Sequence, residues 1–343
     1  MAIRRLEANQ MLSLDDKSVG PYERQTLETV EYVMNLASMI AVVMSDPGYA
    51  FMKGAGRFAP IRKAVSEVRG FSQRSRWSAF CDLQRSRLSE SAFQNVDPDA
   101  FAKRLVADGV VAGLELPPEY LNKLQNIAKS SVCYADRDPA LGFTLDKREE
   151  AEKKLGKPIL LAQYFNMDAQ SEVVAQLRND PFMLLVAALY LGSLPTHIST
   201  NMWWTFAVDA TEEDRIKHAH RYHNDLDDFA FLKFFFYLSD VEADDGAHIC
   251  VAGSHRSPLI KKTSDYWQVR RYDDREVEES YGADRILAIA GQSGTGFAED
   301  TLCIHKGTTP QRRSRLVIQF QYALFDYLKQ HDNLDPSLLK RIA

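Results

Sequence analysis

Between Phe229 and Leu238 the chain is almost wholly aromatic and aliphatic, and Lys233 is its only charge. A run of that kind, with no polar alternation, suits a β-strand covered on both faces. Such a strand needs neighbours in a sheet and a packed layer on either side. Four further segments read as strands: Ser199 to Val208, Ala247 to Ala252, Thr301 to His305 and Arg315 to Ala323. Gly, Asp and Ser turns separate them. Short strands so spaced indicate a jelly roll or barrel.

Helical signals precede the strands. Arg24 to Met44 has apolar residues at helical spacing and stops at Asp46-Pro47-Gly48, and a second helical region lies between Pro60 and Ser89. Asp97-Pro98 and Asp180-Pro181 each pair an N-cap aspartate with proline at the first helical position. The first of these helices ends at Asp108-Gly109, before a strand over Val110 to Leu116. The second runs through Phe182 to Leu191 and ends at Gly192. Pro117-Pro118 opens a helix to about Ser130, and Lys147 to Lys157 reads as an exposed helix or loop. The fold expected is α+β: a double-stranded β-helix (jelly roll) core flanked by helices. The division expected is an N-terminal helical extension over 1–95, a jelly-roll domain over 96–330 and a C-terminal tail over 331–343.

Composition narrows the class. The 343 residues are 45% hydrophobic and 26% charged, with a net charge of −5, which points to neither nucleic acid nor a membrane surface. The four cysteines are scattered, without a CxxC pair, so neither a zinc site nor a disulfide framework is expected, and a reducing cytoplasmic setting fits. Arg4 and Arg5 are not followed by an apolar run, so no secretory signal is expected, and Tyr32 to Met44 is too short to span a bilayer. Basic residues outnumber acids from Arg57 to Arg87. That run reads first as a solvated helical face; the sharper reading is a docking surface for an acidic partner.

The chemistry concentrates in His223-Asn224-Asp225, with His305 eighty-two residues later. On a strand, positions i and i+2 share a face, so His223 and Asp225 can meet one metal ion. His305, at the end of the Thr301 strand, can complete the site from across the barrel. Two imidazoles and a carboxylate with open positions form the ligand set of non-haem Fe(II) oxygenases. Arg315 follows His305 by ten residues and begins an apolar strand. Placed there, a guanidinium can clamp the far carboxylate of 2-oxoglutarate; the alternative is a surface salt bridge.

The ordered set His223-Asn224-Asp225, Tyr237-Leu238-Ser239-Asp240, Asp245-Gly246-Ala247, Ala252-Gly253-Ser254-His255-Arg256, His305 and Arg315 resembles the phytanoyl-CoA dioxygenase family. The resemblance runs over roughly residues 97 to 328. It implies a double-stranded β-helix and Fe(II), with 2-oxoglutarate and O2 as co-substrates. The implied reaction oxidises a small molecule, with hydroxylation of an aliphatic C–H first in line because Asp225 is present, and desaturation or ring formation as alternatives. Ala252 replaces the family's usual proline. The segment Lys306-Gly307-Thr308-Thr309-Pro310 departs from its commonest form, which leaves Thr308 or Thr309 to supply a second co-substrate contact. Arg312 and Arg313 compete with Arg315 as the clamp.

Among the remaining candidates, Trp203, His220 and Lys233 are assigned to the substrate pocket. Lys233 is expected to reach a carboxylate, in the active site or as a structural pair, because a buried unpaired charge is costly. Of Trp203 and Trp204, at least one should face the cavity. His218 is expected in a solvent or loop position, and His255 bracing its turn. The competing function is a non-catalytic jelly-roll metal-binding or scaffold protein, or a subunit of a heteromeric complex. A protein partner or homo-oligomer would form through the N-terminal helices.

Overall fold

The computed structural model describes residues 3–5, 46–257, 271–329 and 332–343. The helix expected over Arg24 to Met44 lies outside them.

Twelve strands form two sheets among the described residues: β1 (Ile3–Arg5), β2 (Val110–Glu115), β3 (Cys133–Ala135), β4 (Gly142–Phe143), β5 (Leu161–Tyr164), β6 (Thr196–Thr205), β7 (Phe231–Tyr237), β8 (His248–Val251), β9 (Ile286–Ile289), β10 (Thr295–Glu299), β11 (His305–Gly307) and β12 (Arg315–Ala323). The large sheet has the order β2-β10-β7-β12-β6-β5-β3-β4, and the small one β1-β9-β8-β11. An antiparallel bridge between His223 and His305 extends the small sheet beyond β11. From β6 onward the chain alternates between the sheets: β6 large, His223 small, β7 large, β8 and β9 small, β10 large, β11 small, β12 large. That alternation is a double-stranded β-helix, as expected.

β7 is buried at every position and lies between β10 and β12, so the aromatic run does occupy the centre of a sheet. Helices cover its outer face. The helix Pro181–Leu191 is apolar on nearly every side and almost wholly buried. Asp180 caps it, accepting from the amides of Phe182 and Met183. The same carboxylate accepts from the Ser91 hydroxyl and the Ala92 amide, both at 2.8 Å, and so ties the preceding helical segment to the core. The helix Ala59–Ser86 packs alongside: Trp77 donates to the Ala188 carbonyl at 2.9 Å. Its outward face leaves Val68 and Phe71 exposed. Residues expected as a C-terminal tail pack on the sheet edge, where Gly142 donates to the Lys340 carbonyl at 2.9 Å.

The strand expected over Thr301 to His305 does not form. Asp300 turns the chain, accepting at its side chain from the Leu302 amide and at its carbonyl from the Cys303 amide, both at 2.9 Å. Cys303 and Ile304 are buried outside regular strand, with the Ile304 amide donating to Ser254 Oγ and its carbonyl accepting from the Val251 amide, and His305 starts β11 rather than ending a strand. Among the described residues, no helix is long and apolar enough to cross a membrane.

Candidate active site

His223 and His305 are direct cross-strand partners. The His223 amide donates to the His305 carbonyl at 3.0 Å, and the reverse bond is 2.8 Å. A pair that exchanges both bonds presents its side chains on one face, and the ring centroids lie 4.3 Å apart. The distal histidine is therefore a neighbour of the first, not a group reaching across the barrel. Asp225 lies just past the bridge, outside regular strand. Its amide donates to the Thr301 carbonyl at 2.8 Å, and this bond brings its side chain back to the pair. Asp225 Oδ1 is 3.7 Å from His223 Nε2, and Oδ2 is 3.7 Å from His305 Nε2. One donor atom from each of the three lies within 4.8 Å of the others.

Hydrogen bonding sets both tautomers. His223 Nδ1 is 2.9 Å from the Arg221 carbonyl, and His305 Nδ1 is 2.9 Å from the Cys303 carbonyl. A carbonyl can only accept, so each Nδ1 carries a proton and each Nε2 is the nitrogen turned toward Asp225. Burial, with His305 alongside, lowers the pKa of His223 to about 3, so the ring stays neutral at physiological pH. Burial opposes ionisation of Asp225. Lys233 and the two histidines outweigh it and hold the carboxyl well below its usual range. Two imidazoles that can each turn Nε2 to a metal, with an ionised carboxylate, are the donor set that suits Fe(II).

Lys233 projects from the centre of β7 to this carboxylate. Its Nζ lies 2.7 Å from Asp225 Oδ2 and 2.9 Å from Asp227 Oδ2. Burial disfavours its charge, but the two carboxylates prevail and raise its pKa. The lysine thus satisfies one oxygen of Asp225 and restrains the carboxylate's orientation.

Arg315, at the start of β12, is 5% exposed. It donates to the Gly246 carbonyl and, at 3.2 Å, to Thr205 Oγ1, while its Nε has no partner. No carboxylate pairs with it among the described residues. Its rivals are engaged elsewhere: Arg313 lies 2.7 Å from Asp245, and Arg312 pairs with Glu242. A buried guanidinium without a counter-ion costs several kcal/mol. A bound dicarboxylate would relieve that cost, and the planar fork matches it bidentately.

One cavity of about 680 Å³ contains the triad, Lys233, Arg315 and Trp203. Trp204 points to the core and donates to Tyr164 Oη at 3.0 Å. His248 and Phe235 line the wall beside His305. His248 Nε2 lies 2.6 Å from Glu299 Oε2. Burial pushes Glu299 up to about 8 and His248 down to about 3, so the pair is neutral.

Three expectations need correction. Thr308 does not line the cavity; its hydroxyl donates to the Ala247 carbonyl at 3.0 Å. His220 does not line it either; its Nδ1 lies 2.8 Å from the Thr309 hydroxyl, so that hydroxyl is taken as well. His218, expected in a solvent or loop position, does lie in a turn but is buried in the lining, 3.3 Å from Asp136. The helix Glu212–Lys217, which His218 caps, and the left-handed Ala219 with φ of 63° stand where a regular strand was expected. His255 braces its turn as expected, with Nδ1 3.4 Å from Cys303 Sγ. Sequence reasoning missed Asp227, Gln319 and Arg137, which come from separate segments and carry no motif.

No protein-family model matches the chain, and no curated protein matches it. Solved structures do align with it. The non-heme alpha ketoglutarate dependent epimerase SnoN from nogalamycin biosynthesis is 14% identical, covering 66% of this chain and 82% of that one at a TM-score of 0.42. EctD from S. alaskensis with bound Fe is 18% identical, covering 68% and 79% at 0.44. HygX from Streptomyces hygroscopicus, with nickel and 2-oxoglutarate bound, is 13% identical, covering 70% and 92% at 0.42. At such scores they carry no weight for the chemistry, which rests on the geometry above.

Proposed function

We propose that this chain is an Fe(II)- and 2-oxoglutarate-dependent oxygenase that hydroxylates an aliphatic C–H of a small-molecule metabolite. The observation that carries it is one cavity holding both a preset His223–Asp225–His305 donor set and the buried, unpaired guanidinium of Arg315. Either feature alone is compatible with a purely structural role; together they match a metal and a dicarboxylate side by side.

When bound, iron and 2-oxoglutarate supply the oxidising power, as decarboxylation to succinate is coupled to O2 reduction. The chain's residues do the rest. His223, Asp225 and His305 hold the metal, and the carbonyls of Arg221 and Cys303 keep both imidazoles in the ligating tautomer. Lys233 fixes the carboxylate's orientation. Arg315 and the Thr205 hydroxyl receive the far carboxylate. Trp203 and Phe235 give the cavity an apolar wall.

The test is 2-oxoglutarate consumption by the purified protein with Fe(II) and ascorbate. Slow succinate formation that needs iron and is lost in His305→Ala supports the assignment. Succinate formation that persists in His305→Ala would sink it.

A further inference from the structure

The cavity holds a second arginine that neither the metal nor the co-substrate uses. Arg137 sits in the turn between β3 and β4 and reaches into the lining near His218, Phe165 and Gln163. No hydrogen bond or ion pair holds it among the described residues, whereas the other cations of the cavity are engaged. Lys233 is paired with Asp225 and Asp227, Lys329 lies 3.3 Å from Asp46, and Arg315 is assigned to 2-oxoglutarate. Arg137 is open to the cavity's solvent yet has protein around it, which lowers its pKa, while Asp225 pulls the other way. The guanidinium therefore lies within electrostatic range of the triad.

Its backbone is not relaxed. Asp136 and Arg137 are both left-handed, with φ of 55° and 63°. Arginine adopts that conformation only at an energetic cost, whereas aspartate tolerates it. The turn is held by Asp136, which lies 2.7 Å from Lys157, 3.3 Å from His218 and 3.4 Å from Lys217. Three basic side chains grip the residue beside Arg137 and leave Arg137 itself aimed into the cavity. A strained turn that delivers an unpaired cation to a cleft is what a ligand-binding role requires.

Resting on the function proposed above, we propose that Arg137 binds an anionic oxygen group, a carboxylate or phosphate, on the primary substrate. The co-substrate has two carboxylates, and both already have places, one at the metal and one at Arg315. An anion at Arg137 is then a third, and it belongs to the molecule being oxidised. Phe165 and Trp203, which line the same cavity, suit an apolar or aromatic body behind that anionic head.

The experiment compares two probes of one shape, 4-phenylbutyrate and its neutral amide, by calorimetry with full-length protein. Titrations are run with and without Mn(II) and 2-oxoglutarate. The variants are Arg137→Asn, because asparagine tolerates the left-handed turn, and Arg137→Lys, which keeps the charge. Wild type should prefer the carboxylate at least tenfold over the amide. Arg137→Asn should lose that preference, Arg137→Lys should keep part of it, and 2-oxoglutarate affinity should stay within threefold in both. Equal binding of the two probes by wild type would overturn the proposal, as would a preference that survives in Arg137→Asn. A loss of 2-oxoglutarate affinity in Arg137→Asn would reassign the residue to the co-substrate and overturn it as well. If wild type bound neither metal nor 2-oxoglutarate, the oxygenase assignment would fail, while the metal-free titration would still report on Arg137.

Discussion

Replacing Arg315 by methionine should separate binding from folding. Methionine fills much of the same space without the charge. The variant gives up two donated hydrogen bonds, to Gly246 and Thr205, each contributing about 1 kcal/mol. It also removes a buried guanidinium that has no counter-ion, which returns several kcal/mol. The two effects largely offset, so the urea midpoint of the ligand-free protein should stay put or rise. Binding should respond quite differently. Losing one side of a buried charge pair costs about 2–5 kcal/mol, a rise in the 2-oxoglutarate Kd of roughly thirty-fold to a few thousand-fold. Anaerobic calorimetry with Mn(II) in place of iron measures that Kd, and a urea melt measures the stability. A Kd within threefold of wild type would refute the reasoning. So would a variant several kcal/mol less stable, since Arg315 would then be a structural element and not a ligand-binding one.

Lys233→Met should leave Asp225 and Asp227 together without their cation in a half-buried site. Breaking a fully buried pair from one side costs about 3–5 kcal/mol; solvent at these carboxylates should bring the loss below that range, and added Mn(II) should restore part of it. An unchanged urea midpoint would contradict the role given to Lys233. Gly307→Ala would place a Cβ 3.3 Å from Arg315 Nη2. It should raise the 2-oxoglutarate Kd several-fold, by about 1 kcal/mol, with little effect on metal affinity in the same calorimeter. His220 stays neutral in the fold down to about pH 3 because burial disfavours its charge, whereas an unfolded histidine protonates near 6.5. Its contribution is therefore intact above about pH 6.5 and declines toward pH 3 by up to about 1.4 kcal/mol per pH unit. His220→Asn should show a shallower acid limb in a pH series of urea melts.

What the sequence conveyed was local chemistry. Cap signals at Asp97-Pro98 and Asp180-Pro181 depend on residues a few positions apart, and both helices begin there. β12 runs from Arg315 to Ala323, as its apolar run implied, and β7 is buried at every position. The His223, Asp225 and His305 side chains do converge, although Asp225 arrives by way of a loop bond to Thr301 rather than by strand alternation. What the sequence withheld depended on tertiary context. Leu302, Cys303 and Ile304 look like a strand, yet the Asp300 turn takes Leu302 and Cys303 out of the ladder, and Ile304 reaches it only through the bond from the Val251 amide. A short helix, Glu212–Lys217, and the left-handed Ala219 put His218 in the cavity lining and keep His220 out of it. Arg137 enters from a turn between two short strands far from any motif, and no local pattern marks it.

On the proposed function, His223, Asp225 and His305 hold iron beside a 2-oxoglutarate anchored on Arg315. Anaerobic titration of Fe(II) and 2-oxoglutarate into the metal-free protein, followed by visible absorption, tests it most directly. A weak metal-to-ligand charge-transfer band that saturates at one equivalent of iron and is absent in His223→Ala and His305→Ala is the expected result. Iron binding without such a band, or a band that persists in both variants, would contradict the account.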